Sequence, residues 1–248
     1  FDKNTDLKEA MERLSGLGEI SKLQINPAIQ RAYNPKKKPV PVSEAALNRM
    51  RTRAAADNGF KFNDALLPHQ WGYINRGAYD FATENAPAIV GSDVNCEEAW
   101  ELCTGDPEII VAVLDEGVMY THEDLTANMW VNEKEQVGSD QDNDGNGYKG
   151  DRYGYNFVKD NGNISWQAAE DTGHGTHVAG TIAAVNGNNK GVCGIAGGDG
   201  TKKGVRIMSC QVFDGDGQVR MVNEARAIKY AADNGAVILQ CSWGYNSA

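Results

Sequence analysis

Two residues and one loop have the types and spacing to do chemistry. His174 lies in the run Gly173-His174-Gly175-Thr176-His177-Val178-Ala179-Gly180-Thr181-Ile182-Ala183. Val178, Ile182 and Val185 recur at helical spacing, which predicts a helix over 174–185 with His174 at its start. The positive end of a helix dipole disfavours an imidazolium, and a neutral imidazole is what a general base needs. The flanking glycines leave the ring reachable. Gly175, Thr176, Ala179, Gly180, Ala183 and Ala184 are small enough to let neighbouring backbone come close. A capping or core histidine is the alternative. Asp115 directly follows the apolar run Ile109-Ile110-Val111-Ala112-Val113-Leu114. A carboxylate there is costly unless something uses it, and at a strand end it can orient a histidine. Its alternative is a turn-forming Asp ahead of Gly117.

The loop is Asp140-Gln141-Asp142-Asn143-Asp144-Gly145-Asn146-Gly147-Tyr148-Lys149-Gly150-Asp151. Acidic groups at alternate positions, Gly sixth and a carboxylate twelfth match a calcium-loop pattern, with Asp where Glu is usual. Asp140, Asp142, Asp144, Asn146 and Asp151 would bind Ca2+ through side chains and Tyr148 through its carbonyl. Without a cation, carboxylates so crowded repel one another, and the alternative is a solvated acidic loop. No amphipathic helix pair flanks the segment, so a structural calcium that pins a long insertion is expected rather than a sensor. Gln240-Cys241-Ser242-Trp243-Gly244 approaches a nucleophile elbow, but Gln240 replaces its first Gly and the 248 residues stop at Ala248, short of the helix an elbow needs, which argues against Ser242 as a nucleophile.

The elements that must position these groups alternate. The β-branched run ending at Asp115 reads as a strand buried on both faces, hence parallel. Val205 to Phe213 reads as a second strand, and Val222, Ala225, Ile228, Lys229 and Ala232 as a helix closed by Asn234-Gly235. Ala236 to Cys241 reads as a third strand. Strand, helix, strand, helix, strand implies an α/β fold, a parallel sheet with helices on both faces, with ligands at the carboxyl ends of its strands. Asp115, Asp214 and Ser242 fall at such ends. Upstream, Leu7, Ala10, Met11, Leu14 and Leu17 predict a helix, and Ile20 to Ile25 a half-buried strand. Residues 34–44, with Pro35, Pro39 and Pro41 around Lys36-Lys37-Lys38, read as a linker. A short helix is expected over 45–58, a wrapping surface segment from Phe60 to Val94 and a short helix over Glu97–Leu102.

The net charge of -10 argues against nucleic acid and anionic membranes as main partners. No apolar run is long enough for a membrane-spanning helix. Five cysteines are an odd number without metal-type pairing. Cys210 and Cys241 lie in strand-like runs and are expected as buried free thiols.

Taken together, Val111-Ala112-Val113-Leu114-Asp115-Glu116-Gly117, His122-Glu123-Asp124-Leu125 and His174-Gly175-Thr176-His177-Val178-Ala179-Gly180-Thr181 resemble the subtilisin-like serine proteases, the subtilases. The resemblance runs from about Asn63 to the end. It implies a subtilisin-like fold, incomplete at the C-terminus, and a secreted or cell-envelope endopeptidase with an Asp-His-Ser triad. Asp115 would orient His174 and His174 would be the general base. Ser242, Trp243 and Gly244 would pair with the substrate backbone, and Asp214-Gly215-Asp216-Gly217 would form the opposite edge of the cleft. Residues 1–33 resemble the tail of an inhibitory propeptide, 34–62 its processing region, and 63–248 the N-terminal part of the catalytic domain. The acidic loop is similar to a calcium-binding insertion of many members.

Two departures are visible. Glu116 stands where Ser or Thr usually follows the catalytic Asp, and it is expected to point to solvent. The Gly-Thr-Ser-Met-Ala motif that supplies the family's nucleophile is absent from the 248 residues, as is the oxyanion-hole Asn. The implied partners are a polypeptide substrate, the chain's own propeptide and a second chain carrying the serine. Three alternatives remain: a serine hydrolase using Ser242, a non-catalytic calcium- or peptide-binding module, and a metal site on His174 and His177.

Overall fold

The computed structural model describes residues 7–16, 28–31, 45, 59–77, 88–167, 171–213 and 219–244. In chain order the elements are α1 (Leu7–Ser15), β1 (Ala28–Arg31), α2 (Cys96–Leu102), β2 (Ile110–Asp115), β3 (Gly154–Asn156), α3 (His174–Ala183), β4 (Arg206–Gln211), β5 (Val219–Arg220), α4 (Met221–Asp233), β6 (Ile238–Cys241) and β7 (Trp243–Gly244). The helices expected at α1, α2, α3 and α4 and the strands expected at β2, β4 and β6 form within a few residues of their sequence limits. The strand expected over 20–25, the linker 34–44, the rest of the helix expected over 45–58 and the edge Asp214–Gly217, with Gly215, lie outside the described residues.

The main sheet has the order β3-β4-β2-β6, and every pairing in it is parallel. All six β2 residues are buried, as a strand covered on both faces requires. Its side chains alternate between two cores. Ala112 and Leu114 join Met208 and Cys210 of β4 and Ala227, Tyr230 and Ala231 of α4. Val111 and Val113 join Ile207 of β4 and Ala179 and Ala183 of α3. Helices therefore cover both faces, as the strand–helix alternation implies. The segment from Phe60 onward does more than wrap the surface. Phe62, Leu67 and Ile74 bury themselves with Cys96, Trp100 and Cys193 in a third core.

Two expectations fail in informative ways. β6 reads as a buried strand, yet Ile238 and Leu239 are 50% and 39% exposed. Among the described residues it pairs along the main sheet with β2 alone, so its other side stays open. Cys241 is exposed for the same reason, whereas Cys210 is buried between strands as expected; all five thiols are free. β3, the opposite edge of the sheet, carries no period a sequence reading could detect in three residues. It exists because Gly154 lets its backbone run against Ser209, where a Cβ would collide with the Ser209 carbonyl.

A second, antiparallel sheet has the order β5-β1-β7. Ala28 and Ile29 pair with Arg220 and Val219, and Gln30 and Arg31 pair with Gly244 and Trp243.

Candidate active site

β2 ends at Asp115 in register with Gln211 of β4, and both are buried. The Asp115 carbonyl accepts the Val212 N–H at 2.9 Å, which locks the strand end. The α3 helix begins one layer above. Its cap residue, Gly173, adopts φ 77° and supplies no side-chain cap. Gly175 then lies flat on the turn after β2, where a Cβ would collide with the Glu116 carbonyl oxygen. This approach brings His174 Nδ1 to 2.9 Å from both Asp115 oxygens. With the carboxylate ionised, Nδ1–H is the donor. Asp115 Oδ1 also accepts the Glu116 N–H at 2.7 Å. The Asp115 side chain is 1% exposed and that of His174 24%, so the orienting group is dry while the imidazole keeps an open side. Such a pair can take a proton from a nucleophile presented to Nε2. Of the small residues expected to permit close packing, Gly175, Ala179 and Ala183 are buried, but a Cβ on Gly180 would meet nothing within 4 Å.

Glu116 does not point to solvent. It is fully buried, and its Oε2 accepts the Thr172 N–H at 3.0 Å and the His174 N–H at 3.2 Å. The backbone donors of a helix start attract it inward.

Ser242 links β6 to β7, and its Oγ accepts a hydrogen bond from Gln240 Nε2 at 3.2 Å. Trp243 packs its ring against the first core and donates its indole N–H to the Leu114 carbonyl at 3.0 Å. Trp243 and Gly244 pair with β1, as an extended peptide would. The facing edge is β5, which directly follows the stretch expected to form it. The strand held between the two edges is the chain's own Ala28–Arg31. From Gln30 to Arg31 it runs back along β7 toward Ser242, and thus toward the carboxyl ends of β6 and β2, where Asp115 lies.

The acidic loop is folded on its own carboxylates. Asp142 accepts the N–H groups of Gly145, Asn146 and Gly147 at 2.8, 3.1 and 2.8 Å. The Gly147 bond leads the causes that hold its carboxyl below the usual range. Asp144 accepts the Asn146 N–H at 3.1 Å and Asn132 Nδ2 at 2.9 Å. Oxygens of Asp142, Asp144 and Glu135 lie within 4.8 Å of one another, a donor set suited to a hard cation. The other expected ligands have partners within the loop or its surroundings. Asp140 is exposed. Asn146 and Asp151 bond each other at 3.0 Å, and Asp151 also accepts the Tyr230 hydroxyl at 2.8 Å. Burial pushes the Asp151 carboxyl up. Tyr148, expected to offer its carbonyl, packs its ring in the aromatic cluster of Tyr155, Phe157 and Tyr230, which leaves that carbonyl's role open to the calcium test.

The sequence reading missed Glu135. It is fully buried, accepts N–H groups of Asn143, Asp144 and Gly150, and lies ahead of the loop at no diagnostic spacing. It gave no role to Asp64 and Asp124 either. Both are buried beside the 186–192 turn, where Asp124 accepts Asn188 Nδ2 and Val192 N–H at 2.7 and 3.0 Å and Asp64 accepts Gly187 N–H at 2.7 Å. Burial pushes both carboxyls up, and the charge of Asp64 adds to the shift at Asp124.

The Peptidase_S8 family, described as the subtilase family, matches residues 106–248, more than half of the chain. Subtilisin-like protease 1 of Plasmodium vivax is 32% identical over 83% of this chain and 29% of its own length. The halolysin-like extracellular serine protease Nep of Natrialba magadii is 33% identical over 61% of this chain and 23% of its own. The crystal structure of fervidolysin from Fervidobacterium pennivorans, a keratinolytic enzyme related to subtilisin, matches at TM-score 0.40 and 26% identity over 69% of this chain and 25% of its own. The chain thus spans less than a third of the length of these curated relatives. The family match covers Asp115, His174 and both sheet edges that hold β1, and the chain belongs to the subtilase family.

Proposed function

We propose that residues 1–248 are part of an extracellular serine endopeptidase. Asp115 orients His174, and His174 is the general base for a serine supplied by polypeptide outside these residues. The observation that carries this reading is the contact of His174 Nδ1 with both oxygens of the buried Asp115 at 2.9 Å. In the reaction His174 Nε2 takes the serine proton as its oxygen attacks the peptide carbonyl, then returns that proton to the leaving amine. Trp243 and Gly244 hold the substrate backbone as an added strand.

The segment up to residue 33 is read as propeptide, because β1 occupies the place between β5 and β7 that a substrate strand would take. Extracellular destination is supported by the likeness to the extracellular serine protease of Natrialba magadii. Among the described residues no helix is long and apolar enough to cross a membrane. Calcium is proposed as a structural ion of the acidic loop, held by Glu135, Asp142 and Asp144, where it would neutralise their mutual repulsion.

The test is a serine-directed fluorophosphonate applied to the full-length polypeptide that contains residues 1–248. Labelling at a serine outside them is expected, with kcat falling roughly 10⁴-fold in Asp115→Asn. Labelling at Ser242 would overturn the assignment.

A further inference from the structure

The carboxylate at position 116 lies in surroundings that give it a use. Glu116 is fully buried although it follows the strand end directly. Its two oxygens lie 3.1 and 3.0 Å from the Thr172 hydroxyl, and Oε2 accepts the main-chain N–H groups of Thr172 and His174. Thr172 Oγ1 in turn accepts the His174 N–H at 3.3 Å, so that proton is shared between two acceptors. The helix has no side-chain cap of its own at Gly173. A single hydroxyl could not serve three converging donors, whereas a carboxylate has the lone pairs for all of them.

His174 is thereby held at two points by two consecutive residues. Asp115 fixes the ring through Nδ1, and Glu116 fixes the main chain through N–H. The contact between Gly175 and the Glu116 carbonyl leaves the two elements no room to slide. Letting go of the backbone would let the ring drift from Asp115, and a misplacement near 1 Å at a reacting group costs roughly 10²-fold in rate.

We propose that Glu116 is a positioning residue for proton transfer at His174. It touches neither substrate nor reacting atoms, and acts by fixing the main chain of the general base. The inference rests on the reading of His174 as that base, so its test has one arm that needs no nucleophile. In residues 1–248, the Nδ1 proton held between His174 and Asp115 should give a downfield, exchange-protected proton resonance. Glu116→Ala should lose that resonance while circular dichroism still reports folded protein. Glu116→Gln, whose amide oxygen can still accept a main-chain N–H, should keep it. Glu116→Gln also decides the matter if the alanine variant fails to fold: an unaltered resonance line and exchange rate support the positioning role, and loss of the resonance from folded Gln protein counts against it. In the full-length polypeptide, Glu116→Ala should lower kcat roughly 10- to 100-fold with KM within about twofold. A raised KM at unchanged kcat, or a resonance that survives in folded Glu116→Ala, overturns the proposal. A full-length polypeptide without peptidase activity would sink the proteolytic reading, while the resonance would still decide on Glu116.

Discussion

Trp243 donates its indole N–H to the carbonyl of Leu114, the residue immediately before Asp115. The bond ties the edge that pairs with β1 to the strand end that holds His174. The β7 edge and the Asp115 carboxylate are thus parts of one hydrogen-bonded unit. Trp243→Phe keeps most of the apolar ring and removes the donor to the Leu114 carbonyl. We expect a loss of about 1 kcal/mol, read as a midpoint lower by roughly 2–4 °C in thermal unfolding of a chain this size. An unchanged midpoint would show that the bond contributes nothing.

Gly175→Ala should be severe and Gly180→Ala harmless, although both glycines lie in one short helix. A Cβ at 175 meets the Glu116 carbonyl, which belongs to a pinned strand end, so the helix must lift and His174 with it. Destabilisation of about 1–3 kcal/mol is expected, with peptidase activity of the full-length polypeptide lost. At 180 nothing lies within 4 Å, and alanine should add up to about 1 kcal/mol through its better helix propensity. Urea unfolding of the two variants side by side measures both.

Calcium removal should loosen the acidic loop. At a free concentration 100 times the dissociation constant, a bound ion adds about 2.7 kcal/mol. A chelator should therefore lower the melting midpoint by several degrees and expose residues 140–151 to proteases. Glu135→Gln should weaken calcium binding in calorimetry more than Asp140→Asn, because Glu135 lies in the carboxylate cluster and Asp140 does not. Equal effects of the two would refute this ligand set.

Glu224 gives a pH dependence whose sign is fixed. It is buried in the first turn of α4, and burial pushes its carboxyl up to about 7. Since the native state holds the proton more tightly than the unfolded chain, this contribution is full below the ordinary carboxyl range. It is lost as pH rises through about 7. Glu224→Gln removes the penalty of a buried charge. The stability difference between Glu224→Gln and wild type should grow by about 1–3 kcal/mol from pH 5 to pH 8. Parallel denaturation curves at the two pH values, differing by the same amount, would exclude it.

Much of this was legible in the chain. An apolar run ended by Asp115, and a glycine-flanked His174 heading a helical period, are local patterns with a local cause. A strand covered on both faces is mostly apolar, as β2 is up to Asp115, and a helix repeats its apolar face. Those patterns set the parallel sheet, the two covering helices and the identity of the Asp–His pair. The acidic alternation of residues 140–151 likewise announced an oxygen-rich loop. What the sequence by itself could not supply was direction. Whether Glu116 faces water or the α3 start depends on a helix that arrives 58 residues later. Whether Glu135 joins Asp142 and Asp144, while Asp151 turns to Tyr230, depends on how the loop closes against α4. That Ala28–Arg31 lies between β5 and β7 depends on pairings across some 190 to 215 positions of chain. Local patterns fix which elements form, because periodicity and propensity act over a few residues. The tertiary structure alone decided which polar groups meet, because burial forces each donor and acceptor to find a partner wherever the fold brings one.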